Sequence, residues 1–128
     1  MNIKAMILVG ALALTGCSSV KEWIPSFWDD NQSKVTIDLR QSVNQLDCSK
    51  EHLPQIVPIK TNLEWLQLYS ESKKTTDVMK LIKPMTETVD DFYNRSKQKQ
   101  GSTAYCELKK KLMVVQARAI SETILRRF

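Results

Sequence analysis

Val78 to Tyr93, VMKLIKPMTETVDDFY, is the stretch that decides the fold class. Apolar residues at 78, 81, 82, 85, 89, 92 and 93 recur at spacings of three and four and line one side of an α-helix. Thr75, Thr76 or Asp77 can cap its start. Pro84 lies inside the pattern and has no N–H to bond back to Lys80, so the spacing predicts a helix that kinks or splits there.

The same period extends outward in both directions. Downstream, Lys97 to Ser102 (KQKQGS) breaks the pattern, with Gly101 as terminator and Ser102 or Thr103 as the next cap. The final helix is expected to bury Leu108, Leu112, Val115 and Ala119, flanked by Met113, Ile120 and Ile124. Upstream, Ile59, Leu63, Leu66 and Tyr69 form a stripe with Trp65 beside it, in a helix that Pro58 can open and that ends near Glu71 to Lys74. Ser49 to Val57 (SKEHLPQIV) then reads as a connection. Before it, Val35, Leu39, Val43 and Leu46 mark a helix from about Ser33 to Cys48, with Ile37 off the stripe. Strand alternation is nowhere sustained. The expected fold is all-α: a small four-helix bundle with a kinked third helix.

Ahead of the bundle, Lys4 gives a short positive region and Ala5 to Leu14 (AMILVGALAL) an apolar run too short for a membrane-spanning helix. It leads into Leu14-Thr15-Gly16-Cys17, which resembles the lipobox of bacterial lipoproteins. The resemblance implies diacylation of the Cys17 sulfur, cleavage before Cys17 and acylation of the new amino terminus, an anchor of the multi-chain kind that holds stably. In lipoproteins of enteric type an Asp after the cysteine favours inner-membrane retention. Ser18 stands there, which leans towards the outer membrane, facing the periplasm. The organisation that follows is a signal peptide over 1–16, a lipidated, aromatic-containing tether over 17–32 and a helical domain over 33–128.

With Cys17 assigned to lipid, Cys48 and Cys106 remain, and an even pair in an exported chain points to one structural disulfide. It joins the end of the first helix to the start of the fourth. Those ends meet if the two helices are antiparallel neighbours, as in an up-down bundle.

The tether carries Trp23, Ile24, Phe27 and Trp28 around Pro25. Three readings stay open: rings seated at lipid headgroup level, a partner-binding peptide, or a segment that caps the core, with Asp29, Asp30 or Ser33 capping the first helix. The chain of 128 residues has a formal net charge of +5, unevenly placed. Residues 17 to 92 hold 9 basic and 12 acidic side chains, whereas residues 93 to 128 hold 9 basic and 2 acidic, so the carboxyl end is the basic one. Lys109, Lys110 and Lys111 form a run there that reads as a solvated face, or as a contact for anionic lipid, lipopolysaccharide or an acidic partner.

Catalytic chemistry has few candidates. His52 is the single histidine, expected on the surface of the connecting loop beside Glu51, which rules out multi-histidine metal sites. Asp29-Asp30 and Asp90-Asp91 are adjacent in sequence, and neighbouring helical residues do not share a face. There is no glycine-rich phosphate loop. The expectation is therefore a non-enzymatic protein without cofactor, metal or nucleic-acid partner, held to the membrane through Cys17. It would bind another envelope protein as an adaptor or assembly factor, with Trp23, Phe27, Trp28 and Lys109 to Lys111 as the candidate contacts. The alternative is a phage- or mobile-element-encoded lipoprotein for superinfection exclusion or lysis. Small helical pilotins of secretion systems are similar in architecture, although no diagnostic pilotin motif is present.

Overall fold

The computed structural model describes residues 28–127. The lipobox, Cys17, Trp23, Phe27 and Phe128 lie outside the described residues. Four α-helices follow one another: α1 Asp30–Asn44, α2 Leu53–Lys73, α3 Thr76–Gln98 and α4 Thr103–Leu125. No strand occurs among the described residues. Each helix packs on two others, α1 on α2 and α4, α3 on α2 and α4, which is the closed up-down arrangement of a four-helix bundle.

Local chemistry sets the helix ends. The Asp29 carboxylate accepts from the backbone N–H of Asn31 (2.9 Å) and Gln32 (3.0 Å), so α1 starts three residues before Ser33. It ends at Asn44, which leaves Cys48 in the turn beyond the helix. The start of α2 differs from expectation: the helix begins at Leu53, and Pro54, not Pro58, occupies its first turn, where a missing N–H would be unpartnered anyway. Pro58 sits exposed inside the helix. Its absent N–H would have reached back to Pro54, in the first turn, so the loss is confined to the helix start. At the other end Lys74 takes a left-handed conformation (φ 56°), and the Thr75 N–H returns to the Ser70 carbonyl at 2.9 Å.

Helix α3 runs as one element through Pro84 and does not split. The Pro84 carbonyl accepts from Thr88 Oγ1 at 3.1 Å and from Gln116 Nε2 at 3.4 Å, tying that turn to α4. Ser102 caps α4, its hydroxyl accepting from the Tyr105 N–H at 3.1 Å. A Cβ at Gly101 would lie 2.7 Å from Tyr105 Cδ1, so the glycine leaves room for the tyrosine ring.

The bundle has two distinct poles. At one, Cys48 and Cys106 form a disulfide with Cα atoms 5.6 Å apart. His52 closes this pole and is not a surface residue: it is 1% exposed, Nε2 lies 3.1 Å from the Cys48 carbonyl, and the ring packs at 5.9 Å from Phe92. A carbonyl can only accept, so Nε2 carries the proton. The reversal has a physical cause. The chain leaving the bridged Cys48 must turn back at once into α2, and the short connection folds the ring inward.

At the opposite pole the chain enters α1. Buried Gln32 donates to Ser70 Oγ (3.3 Å) and Thr75 Oγ1 (2.9 Å) and accepts from Arg127 Nη1 (3.2 Å). Arg127 also pairs with Asp77, so the end of α4 is fastened to the starts of α1 and α3. Tyr69 OH donates to the second Asp29 oxygen at 3.0 Å. Asp29→Ala therefore removes the α1 cap and a tie to α2 together. A loss of about 1–2 kcal/mol is expected, seen as a fall in melting temperature of roughly 4–8 °C per kcal/mol.

Candidate functional site

Helix α4 is apolar on two opposite sides. At about 100° per residue, Cys106, Met113, Ala117, Ile120 and Ile124 fall on one side, and Leu108, Leu112, Val115 and Ala119 on the other. The sequence expectation had the second set buried with the first beside it. The structure reverses them: Met113, Ala117, Ile120 and Ile124 are in the core, while Leu108 is 66%, Leu112 46% and Val115 66% exposed and Ala119 is also at the surface. The disulfide supplies the reason. Cys106 must face Cys48 to bridge it, and the residues 7, 11, 14 and 18 positions later share its side of the helix.

A surface helix usually hides one apolar stripe and shows a polar one. Here the outward stripe is as apolar as the inward one over three turns. Full burial of a Leu or Val side chain contributes about 1.5–3 kcal/mol, and these three leave roughly half or more of that unrealised. Beyond Ala119 the outer face continues into a shallow open depression lined by Ala119, Glu122, Thr123 and Arg126.

The basic run lies along this helix but not as a uniform face. Lys109 is largely buried, pairs with Asp91 at 2.7 Å and lies over the Tyr105 ring. Lys110 donates to the Leu46 carbonyl at 2.7 Å. Lys111 is exposed beside Leu108 and Leu112, and Arg118 is exposed seven residues further on, on the same edge of the stripe.

The Lys109 hydrogen bond is the main cause holding the Asp91 carboxyl below its usual range, against a smaller opposing effect of desolvation. A depressed carboxyl pKa contributes stability that is present above the unfolded value and lost as pH falls through the folded one. Asp91 is 44% exposed, so screening keeps this below about 1 kcal/mol. Acid titration followed by circular dichroism should show Lys109→Met losing the part of the stability gained between about pH 2 and 4, with little change in slope above it.

Trp28 is exposed at the α1 entrance, its indole N–H donating to Asp30 at 2.5 Å. A second apolar area lies on α2, where Val57, Leu68 and Trp65 are exposed. Trp65 stacks on Tyr69 at 4.7 Å, so that area is partly satisfied within the chain. The acidic pairs serve packing between helices: Asp90 meets Lys60 of α2 at 2.8 Å, and Asp91 meets Lys109 of α4. Among the described residues there is no group of three metal-ligating side chains, and no helix is long and apolar enough to cross a membrane. The signal in the sequence that separates the two stripes of α4 is Cys106, which marks the inward side once it is bridged to Cys48. No family model, curated protein or solved structure matches this chain.

Proposed function

We propose that the chain is a non-enzymatic envelope lipoprotein that holds another envelope protein against the outer face of α4. The observation that carries this reading is the stripe of Leu108, Leu112, Val115 and Ala119, fully formed and left uncovered by the bundle. The lipobox supports the placement. An acylated Cys17 anchors the chain to the periplasmic side of the outer membrane, and the eleven residues from Cys17 to Trp28 span up to about 40 Å when extended. Trp28 enters at the pole where α4 ends. Trp23, Phe27 and Trp28 in that tether are candidate contacts for the membrane or for the docked protein.

The test is site-specific photocrosslinking in cells with the full-length lipidated protein. A photoreactive residue at Leu112 or Val115 should capture one dominant envelope protein, and one at Lys80, exposed on α3, should not. Leu108→Asp with Val115→Asp should cut that capture by at least about tenfold while costing no more than about 2 kcal/mol of stability, since both side chains are two-thirds exposed. The same unspecific neighbours at every position would overturn the reading. Cys17→Ser should lower the yield through lost co-localisation and keep the partner's identity.

A further inference from the structure

We infer that the occupant of the α4 stripe is an amphipathic helix of another protein, with acidic side chains beside its own apolar residues. The inference rests on the reading of α4 as a docking face and adds the chemistry of what docks. Leu108, Leu112, Val115 and Ala119 are spaced four, three and four, the a/d spacing of a helix that packs along a second helix. At about 100° per residue the four span only about 60° of arc. That is the narrow stripe of a helix–helix contact. A helix lying in a lipid surface presents a broader apolar face.

Charge beside the stripe selects the partner. Lys111 and Arg118, both exposed, stand seven residues apart along one edge and form no ion pair among the described residues. On the other edge Lys109 is committed to Asp91 and Gln116 to Thr88. On the Lys111 edge the exposed Glu107 stands one turn before Lys111 and about 100° from Leu108, so it lies outside the flanking row and forms no ion pair among the described residues. Past Ala119 the exposed Glu122 and Arg126 offset one another, so the unmatched charge flanking the apolar residues is positive, and carboxylates on an incoming helix complement it.

A second copy of this chain does not. Antiparallel pairing on the stripe sets Lys111 beside Arg118 of the second copy, twice by symmetry. Parallel pairing continues the stripe into Glu122 and Arg126, each facing its own counterpart. Either register juxtaposes like charges where a helix pair normally places opposite ones.

The test uses the full-length protein in detergent and two synthetic three-heptad peptides with leucine at a and d. One carries glutamate at e and g, the other lysine, and self-repulsion discourages each from pairing with itself. Fluorescence anisotropy should show the glutamate peptide binding at least about tenfold tighter, and weakening several-fold between about 0.05 and 0.5 M salt. Lys111→Glu with Arg118→Glu should reverse the preference, and Leu112→Asp should remove binding of both. Equal binding of the two peptides, or a preference that charge reversal leaves intact, would overturn the inference. So would a dimer in sedimentation that Leu112→Asp dissolves, or Leu112-dependent capture by anionic vesicles. If crosslinking at Leu112 and Val115 recovers a protein while the glutamate peptide does not bind, the docking face stands and the acidic helix falls. If neither is seen, both fall.

Discussion

Removing the disulfide should lower the stability of the domain by about 4 kcal/mol, the value chain-entropy arguments give for a closed loop of this length. Cys48 and Cys106 enclose 57 intervening residues, more than half of the described fold. In the unfolded chain the bridge removes the conformations in which the end of α1 is far from the start of α4. In the folded one both sulfur-bearing residues are buried, 4% and 0% exposed. A domain of this size has about 5–15 kcal/mol in total, so the bridge is a large share of it. Cys48→Ala with Cys106→Ala is expected to melt roughly 15–30 °C below the bridged protein. Reductant added to the native protein should act slowly, because the thiol must wait for the pole to open; the same reductant in denaturant should act at once. A fall of less than about 5 °C in the double variant would show that the helices alone fix the α1 to α4 pairing.

That bridge also explains which parts of the fold were readable from sequence. Three stripes could be read from periodicity: Leu39 and Val43, Ile59 to Leu66, and Val78 to Phe92 recur at helical spacing, and the core is built from them. Helix α4 offers two lines of equal apolarity, and periodicity cannot rank them. The choice depends on Cys106 meeting Cys48, a contact between distant parts of the chain. His52 failed for a related reason. Local sequence places it in a polar connection, whereas its burial follows from the bridge on one side and Phe92 on the other. Pro58 misled because either of two prolines four residues apart can open a helix, and the one nearer the bridge does so.

The candidate site was visible in composition but not in position. Leu108, Leu112 and Val115 were prominent in the sequence as core, and the basic run beside them as a uniform face. In the fold the apolar residues are outside, and two of the three lysines are taken up by Asp91 and the Leu46 carbonyl. What is left at the surface is a narrow apolar line with Lys111 and Arg118 along one edge. Because Lys109 and Lys110 are spent inside the bundle, substitutions there should change stability, and substitutions at Lys111 and Arg118 should change binding.

Phe92→Ala should be the most damaging single core substitution at the disulfide pole, at about 3–5 kcal/mol. The ring is fully buried, the largest side chain in the core, and lies between His52 of the α1 to α2 connection and Tyr105 of α4. The Tyr105 contact is edge-on at 5.7 Å, an arrangement that adds attraction beyond area burial. Truncation leaves a cavity that the tethered pole can collapse into only partly, because the bridge fixes the Cys48 to Cys106 distance and the Tyr105 backbone is held in the first turn of α4 by the Ser102 cap. Phe92→Leu keeps most of the volume and should cost about 1–1.5 kcal/mol. The leucine variant is therefore the one to combine with bridge removal. His52 is bonded to the Cys48 carbonyl and Tyr105 adjoins Cys106, so the cavity and the bridge act on the same side chains. Their combined effect in denaturant melts should depart from additivity by more than about 0.5 kcal/mol, with the leucine substitution less costly once the bridge is gone and the pole can relax around it. Strict additivity would mean that Phe92 and the disulfide hold separate parts of the bundle. The glutamate peptide should bind the bridged Phe92→Leu protein as it binds the parent, since Phe92 faces the core and the α4 stripe faces away from it.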